Sequence, residues 1–396
     1  MDKQQKKRFG MMAFGAFLIM FTGFPHIWSI YQPYVMEETG WSTAVVSICF
    51  YLPTLFFVFG NMIGGRIYDR QSPRTALLLG GSIFTTGVVL SGILMGTHPM
   101  IIYLTLGVMQ GIGQGMVYAV ILATAQRWFQ DRTGFATGVV ITANGLCGFV
   151  MSPISKQLLE SGGSRLALIT TGILIGIASV LALYFVKQPE KFQNHAENDE
   201  LYGDARQYTP QEMLRTRKFY YLAATMLFGL MPYYLLSPIS QTLQIERGVS
   251  EGIAVASVMA GSVINAGIRL VLPSLADRVG RIICIQSVLC TAMVSMCLLL
   301  TGIGNLTTAA VVLAYGCFGG IMGSFPSLTS SVFGLKHAGE NYGIVMSGII
   351  IVTALSPMIS QTIEKVGIPV YGNFVIGLLC AFFAWICIGK LKSDVR

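Results

Sequence analysis

The chain has 396 residues, of which 53% are hydrophobic and only 11% are charged, against about 25% charged in an ordinary soluble domain. So few charges cannot clothe a water-facing surface, and so much apolar content excludes intrinsic disorder. The net charge of +8 is dispersed rather than gathered into one basic face, which excludes a nucleic-acid binder. Lipid is therefore the solvent for most of the chain, and a helix needs about 20 apolar residues to cross it. Such stretches lie near 9–30, 42–64, 75–97, 99–125, 135–158, 166–187, 219–243, 252–276, 282–303, 307–333, 341–364 and 369–390. The expected class is an all-α membrane protein with twelve transmembrane helices; the strand-length alternation of a barrel is absent from the sequence.

The N-terminal tail is basic (Lys3, Lys6, Lys7, Arg8) and has no small-residue cleavage site, so span 1 is expected to be retained. With the N-terminus in the cytoplasm, 21 of the 26 Lys and Arg fall on the cytoplasmic side. Lys156, Arg165, Arg247 and Lys365 fall outside, and Arg269 falls within a span. That bias predicts two cytoplasmic termini. The eight cysteines (49, 147, 284, 290, 297, 317, 380 and 387) all fall in spans, none at metal-ligand spacing, and read as small apolar residues.

Span 1 carries His26 directly after Pro25; a histidine changes charge near neutral pH, and one near the outer end of a helix can also simply face water. After span 2 comes Gly65-Arg-Ile-Tyr-Asp69-Arg70-Gln-Ser-Pro-Arg74. In span 4, Gln110, Gln114 and Tyr118 recur every fourth residue among Gly111, Gly113 and Gly115. The stripe is a candidate cavity lining, and the glycines permit close helix packing. Asn144 in span 5 is a further candidate. A polar stretch from Lys187 to Lys218, with Glu197, Asp199 and Glu200, divides six spans from six. The expected organisation is a six-helix bundle over 1–187, a cytoplasmic linker over 188–218 and a second six-helix bundle over 219–396.

Span 8 holds Asn265 and, one turn later, Arg269. Arg269 precedes Asp277 by eight residues, so it sits about 12 Å along the helix from the turn. At that depth an arginine costs roughly 2.5–3.5 kcal/mol to insert, so it must face protein or a watery cavity. None of the 18 acidic residues falls in the interior of a span; Glu160, Glu251, Glu340 and Glu364 lie at or near span ends. The expected partner is a substrate carboxylate, which the guanidinium fork matches in a bidentate way; carbonyls of a neighbouring helix are the structural alternative. After span 8, Pro273-Ser-Leu-Ala-Asp277-Arg278-Val-Gly280-Arg281 repeats the earlier loop at a distance of 208 residues. Asp69, Arg70 and Arg74, with Asp277, Arg278 and Arg281, are therefore candidates for a conformational latch between neighbouring helices. Tyr315 and Phe318 in span 10 complete the candidate substrate contacts.

These paired loops resemble the conserved loop of the major facilitator superfamily, Gly-x3-Asp-Arg-x-Gly-Arg-Arg. Ser72 stands for the second Gly of the first loop and Pro273 for the first Gly of the second. Further motifs are similar to the oxalate/formate antiporter family and the related monocarboxylate transporters. They are Trp28-Ser-Ile-Tyr31, Gly40-Trp41-Ser42, Arg127-Trp-Phe-Gln-Asp-Arg-Thr-Gly134 with Ala136 and Gly138, Thr209 to Thr216 leading into Phe219-Tyr, and Asn265-x3-Arg269-x7-Asp277. The resemblance implies two six-helix bundles working by rocking, substrate binding at Arg269, a substrate contact near Tyr118 and a coupling role at the position of His26. It also places Ile349 where the oxalate/formate antiporters carry a second cation in span 11.

One fixed positive charge suits a monoanion, since a second carboxylate left unpaired would cost several kcal/mol. The expected function is secondary transport of small monocarboxylates such as lactate or pyruvate, with the carboxylate and a candidate proton as its small partners and lipid around it. Oxalate/formate exchange and efflux of an unrelated amphiphile remain open, a non-transporting sensor is disfavoured by short tails, and no catalytic, metal or nucleotide-binding constellation marks an enzyme or calls for a cofactor. A monomer in a prokaryotic inner membrane is expected.

Overall fold

The computed structural model describes residues 3–41, 43–189 and 206–394. Among them there are helices and turns and no strand. Twelve helical spans can be followed among the described residues, several longer than the apolar stretches suggest. Span 1 is broken: the helix Lys3–Phe21 gives way to a 3-10 turn at Phe24–Ile27 and restarts as Trp28–Thr39. Pro25 has no amide hydrogen for a continuing helix, and the Thr22 hydroxyl donates to the Ile19 carbonyl at 2.6 Å, satisfying one end of the break. Spans 2, 3 and 4 are Thr43–Arg70, Pro73–Ile93 and Pro99–Trp128, the last with a π-helical stretch at Tyr103–Met109.

Spans 5 and 6 begin at Thr133 and run through the long helix Cys147–Phe185, which is broken at Gly162 and Gly163. Gly163 sits at φ 70°, a conformation open chiefly to glycine. Glu38 caps the helix that restarts there by accepting the Ser164 amide at 2.7 Å and the Ser164 hydroxyl. The Trp28 to Tyr31 segment is structural: the Trp28 indole donates to Val46 O at 3.1 Å, and the Tyr31 hydroxyl meets Ser155 and Thr171 at 3.0 and 3.2 Å.

The acidic patch at Glu197, Asp199 and Glu200 lies outside the described residues. After it, the short helix Pro210–Leu214 leads to span 7, whose first turn is capped by Thr216 accepting the Phe219 amide at 3.2 Å. Span 7 is Arg217–Glu246, interrupted by a 3-10 turn at Ser237–Ile239. Spans 8 to 12 are Glu251–Val279, Arg281–Leu300, Gly304–Phe333, Ala338–Lys365 and Tyr371–Asp394.

The chain forms two compact units. One comprises Met1–Asp131, Val139–Pro210 and Phe333–Ile344; the other comprises Arg132–Gly138, Gln211–Val332 and Val345–Arg396. Each unit thus takes one short segment from the other half of the sequence. Many large apolar side chains point outward, Phe149, Val180, Val263 and Leu379 among them. Lipid makes that arrangement favourable, and packing rather than hydrophobic collapse then holds the helices together. Cys49, Cys147, Cys284, Cys317 and Cys387 are buried, Cys290 and Cys297 are exposed, and none is disulfide-bonded.

Candidate functional site

In the unit built on residues 211–332, Arg269 is 8% exposed. Its Nε donates to Asn265 Oδ1 at 2.9 Å, one turn earlier on the same helix. Its guanidinium carbon stands 5.5 Å from the centre of the Phe318 ring. Span 10 reaches this stretch because it is smooth there. A Cβ on Gly319 would lie 2.7 Å from Asn265 Oδ1, and one on Gly323 would lie 3.0 Å from Arg269 Cα.

Aromatic rings complete the surroundings. Tyr233 stacks on Phe318 at 4.1 Å and meets Tyr315 edge-on at 5.1 Å, while Tyr234 meets Phe318 edge-on at 6.1 Å. The Tyr315 hydroxyl lies 3.3 Å from Ser237 Oγ, and the Tyr234 hydroxyl bonds to Thr353. Both Tyr233 and Tyr234 feel the charge of Arg269. The result is a cation of fixed orientation among phenols and ring faces, shielded from water. Such an arrangement can bind a carboxylate through charge-assisted hydrogen bonds. Ile349, 7% exposed, brings no charge from span 11.

In the other unit, the break in span 1 gathers two of the sequence candidates. Gln114 donates to the Thr22 carbonyl at 2.6 Å, and Asn144 donates to the Thr22 hydroxyl at 2.9 Å. Gln110 is buried on the same face of span 4 as Gln114, and neither of its amide atoms meets a hydrogen-bond partner among the described residues. Tyr118 is buried edge-on against Phe57 at 5.2 Å. His26 belongs to the 3-10 turn after Thr22, and its side chain lies outside the described residues.

The two repeated aspartates hold helix starts. Asp69 pairs with Arg127 at 2.9 Å, the two side chains being 0% and 3% exposed, and accepts the Glu340 amide at 3.3 Å. Arg127 also donates to the carbonyls of Leu335 and Lys336, at 3.4 and 2.6 Å. Asp277 accepts the amides of Gly134 and Phe135 at 3.1 and 3.2 Å and pairs with Arg281 at 2.7 Å; Arg281 in turn donates to the Thr133 hydroxyl at 2.8 Å. Each carboxylate therefore meets the positive end of a helix. The helix start at Gly134 comes this close because glycine has no Cβ; one would overlap the Pro273 carbonyl. Arg70, Arg74 and Arg278 stand outside these ion pairs, exposed. The residue that sequence proximity missed is Arg127, whose signal is its place at the basic end of span 4.

Spans 7 and 11 supply three residues that the sequence reading missed, Tyr233, Tyr234 and Thr353. The signal for the two tyrosines is the Pro232-Tyr-Tyr run just before Ser237-Pro238, which marks a break within a membrane helix; Thr353 has no local signal.

Long apolar helices with large apolar side chains turned outward define a multi-pass membrane protein. Residues 12–357 match the family model of the Major Facilitator Superfamily, and the chain belongs to that superfamily. It is 27% identical over 329 residues to the oxalate:formate antiporter of Oxalobacter formigenes, covering 82% of this chain and 77% of that protein. It is 32% identical over 110 residues to monocarboxylate transporter 12 of Xenopus laevis, covering 28% of this chain and 24% of that one. Among solved structures it is similar to FucP, a Major Facilitator Superfamily transporter in the outward conformation, with a TM-score of 0.75 and 14% identity over 96% of this chain and 98% of that one.

Proposed function

We propose that this chain is a secondary transporter of small monocarboxylates, lactate-like or pyruvate-like, which works by alternating access and binds the substrate carboxylate at Arg269. The observation that carries the reading is the Asn265–Arg269 pair. A buried guanidinium is pre-oriented by a 2.9 Å hydrogen bond and lodged beside Phe318, with the Tyr233 and Tyr234 rings close by. Preorganisation of this kind lowers the cost of ordering the site around a small anion. The relatives that are an oxalate:formate antiporter and a monocarboxylate transporter support carboxylates as the substrate class. Tyr315 and Phe318 belong to the same site, and Gln110, Gln114, Tyr118 and Asn144 form its counterpart in the other unit. Asp69 with Arg127, and Asp277 with Arg281, latch helix ends in one state of the cycle, on the side that the Lys and Arg bias assigns to the cytoplasm. Proton coupling is assigned to His26 on sequence grounds.

Oxalate/formate exchange is the second reading, favoured by a relative that matches 82% of the chain. Position 349 separates the two. The wild type, with Ile349 buried in span 11, is expected to take up labelled lactate or pyruvate into proteoliposomes and to exclude oxalate. Ile349→Lys adds a second cation and is expected to move the preference at least tenfold toward the dicarboxylate. Uptake of oxalate by the wild type at the rate of lactate removes the monocarboxylate reading. Running the same assay with and without an imposed pH gradient tests the proton.

A further inference from the structure

Within the unit that contains residues 1–131, a cleft of about 670 Å³ opens between the start of span 3 and the end of span 6. Arg70, Arg74, Arg127, Lys187 and Lys336 line it, and Asp69 is the one carboxylate among the lining residues. Asp69 is already engaged by Arg127 at 2.9 Å, so the walls keep a strong positive excess. Transport of a small anion at Arg269 makes no use of this cleft.

Its surroundings name the occupant. The cleft lies where two membrane helices end, so it stands at headgroup depth. Leu183 and Tyr184 form part of its rim, and Tyr184 is 76% exposed, beside the 43% exposed Phe185. Exposed apolar and aromatic groups at a helix end belong beside acyl chains and their ester region. Arg74 lies in the first turn of Pro73–Ile93, where the helix dipole adds to the attraction for an anion. An acidic headgroup gains from every cation in the cleft; a zwitterionic one brings an ammonium into the same positive field and loses part of that gain.

We propose that this cleft is a binding site for the phosphodiester headgroup of an acidic phospholipid, with the acyl chains running along Leu183 and Tyr184. The bound phosphate reaches Arg74 and Lys187 from the N-terminal half of the sequence and Lys336 from the C-terminal half. Segment 333–344 is the one whose carbonyls Arg127 holds, so the lipid also fastens that segment onto its unit.

The test uses the full-length protein, delipidated in a neutral detergent. Dioleoyl phosphatidylglycerol, dioleoyl phosphatidylcholine, inorganic phosphate and glycerol 1-phosphate are titrated separately, with binding read by native mass spectrometry and thermal shift. Each cation near an acidic lipid contributes about fivefold in affinity. Arg74→Gln with Lys187→Gln is therefore expected to weaken phosphatidylglycerol binding about 25-fold. The control pair Arg217→Gln with Lys218→Gln removes the same charge outside the cleft and is expected to change it less than about twofold. Should the double variant fail to fold, Arg74→Gln alone is expected to lose about fivefold. Equal losses in the control pair, or equal binding of phosphatidylcholine, overturn the proposal. So does binding of either soluble phosphate as tight as that of the lipid, which makes this a site for a free anion.

Discussion

Arg269→Gln is expected to reduce carboxylate affinity by on the order of 100-fold or more and to abolish uptake at low substrate concentration. Truncating one partner of a desolvated, hydrogen-bonded charge pair costs about 2–5 kcal/mol, because the substrate carboxylate is then left without its counter-charge. Glutamine keeps a hydrogen-bond donor and much of the volume, so the loss reports the charge. Arg269→Lys keeps the charge but loses the planar fork and the Nε bond to Asn265, and is expected to recover only a minor part of the affinity. Asn265→Ala leaves the guanidinium in place but frees its orientation, and about a tenfold loss is expected. Substrate binding by Arg269→Gln within twofold of the wild type would remove the site.

The spans were legible because the solvent is lipid: a stretch of about 20 apolar residues has few other fates. The Asn265–Arg269 contact was legible because residues four apart on a helix are neighbours whatever surrounds them. What escaped were contacts made by groups with no local signal. Tyr233 and Phe318 stack across 85 residues of sequence, and a membrane tyrosine looks the same whether it faces lipid or a site. The sequence sets Arg70 and Arg74 beside Asp69, but a carboxylate at a helix end is met by whatever the tertiary packing brings, here Arg127 and the Glu340 amide. The break after Phe21 follows from Pro25 and Thr22, yet its use by Gln114 and Asn144 depends on packing that the helical pattern does not carry.

Arg127→Leu is expected to release segment 333–344 from its unit. In the wild type the Asp69 carboxylate is fully buried, and the guanidinium that neutralises it also holds the carbonyls of Leu335 and Lys336. Leucine removes all of these contacts at once and leaves a buried carboxylate with one amide donor, a loss of about 3–5 kcal/mol. The carboxylate can then be satisfied only by taking up a proton or by admitting water, and water enters by lifting the helix start at Ala338–Val345. Amide deuterium exchange across that helix is expected to quicken by on the order of 100-fold. Asp69→Asn keeps a hydrogen-bond acceptor for the Glu340 amide and is expected to do less. The double variant Asp69→Asn with Arg127→Leu removes the stranded charge, so its effect falls short of the sum of the two single ones. Asp277 tests the repeated device in the other unit. Its side chain is 13% exposed and partly hydrated, so Asp277→Asn is expected to quicken exchange at Gly134 and Phe135 only about fivefold. Exchange in Arg127→Leu within twofold of the wild type would mean that the buried pair fills space rather than latching a helix end.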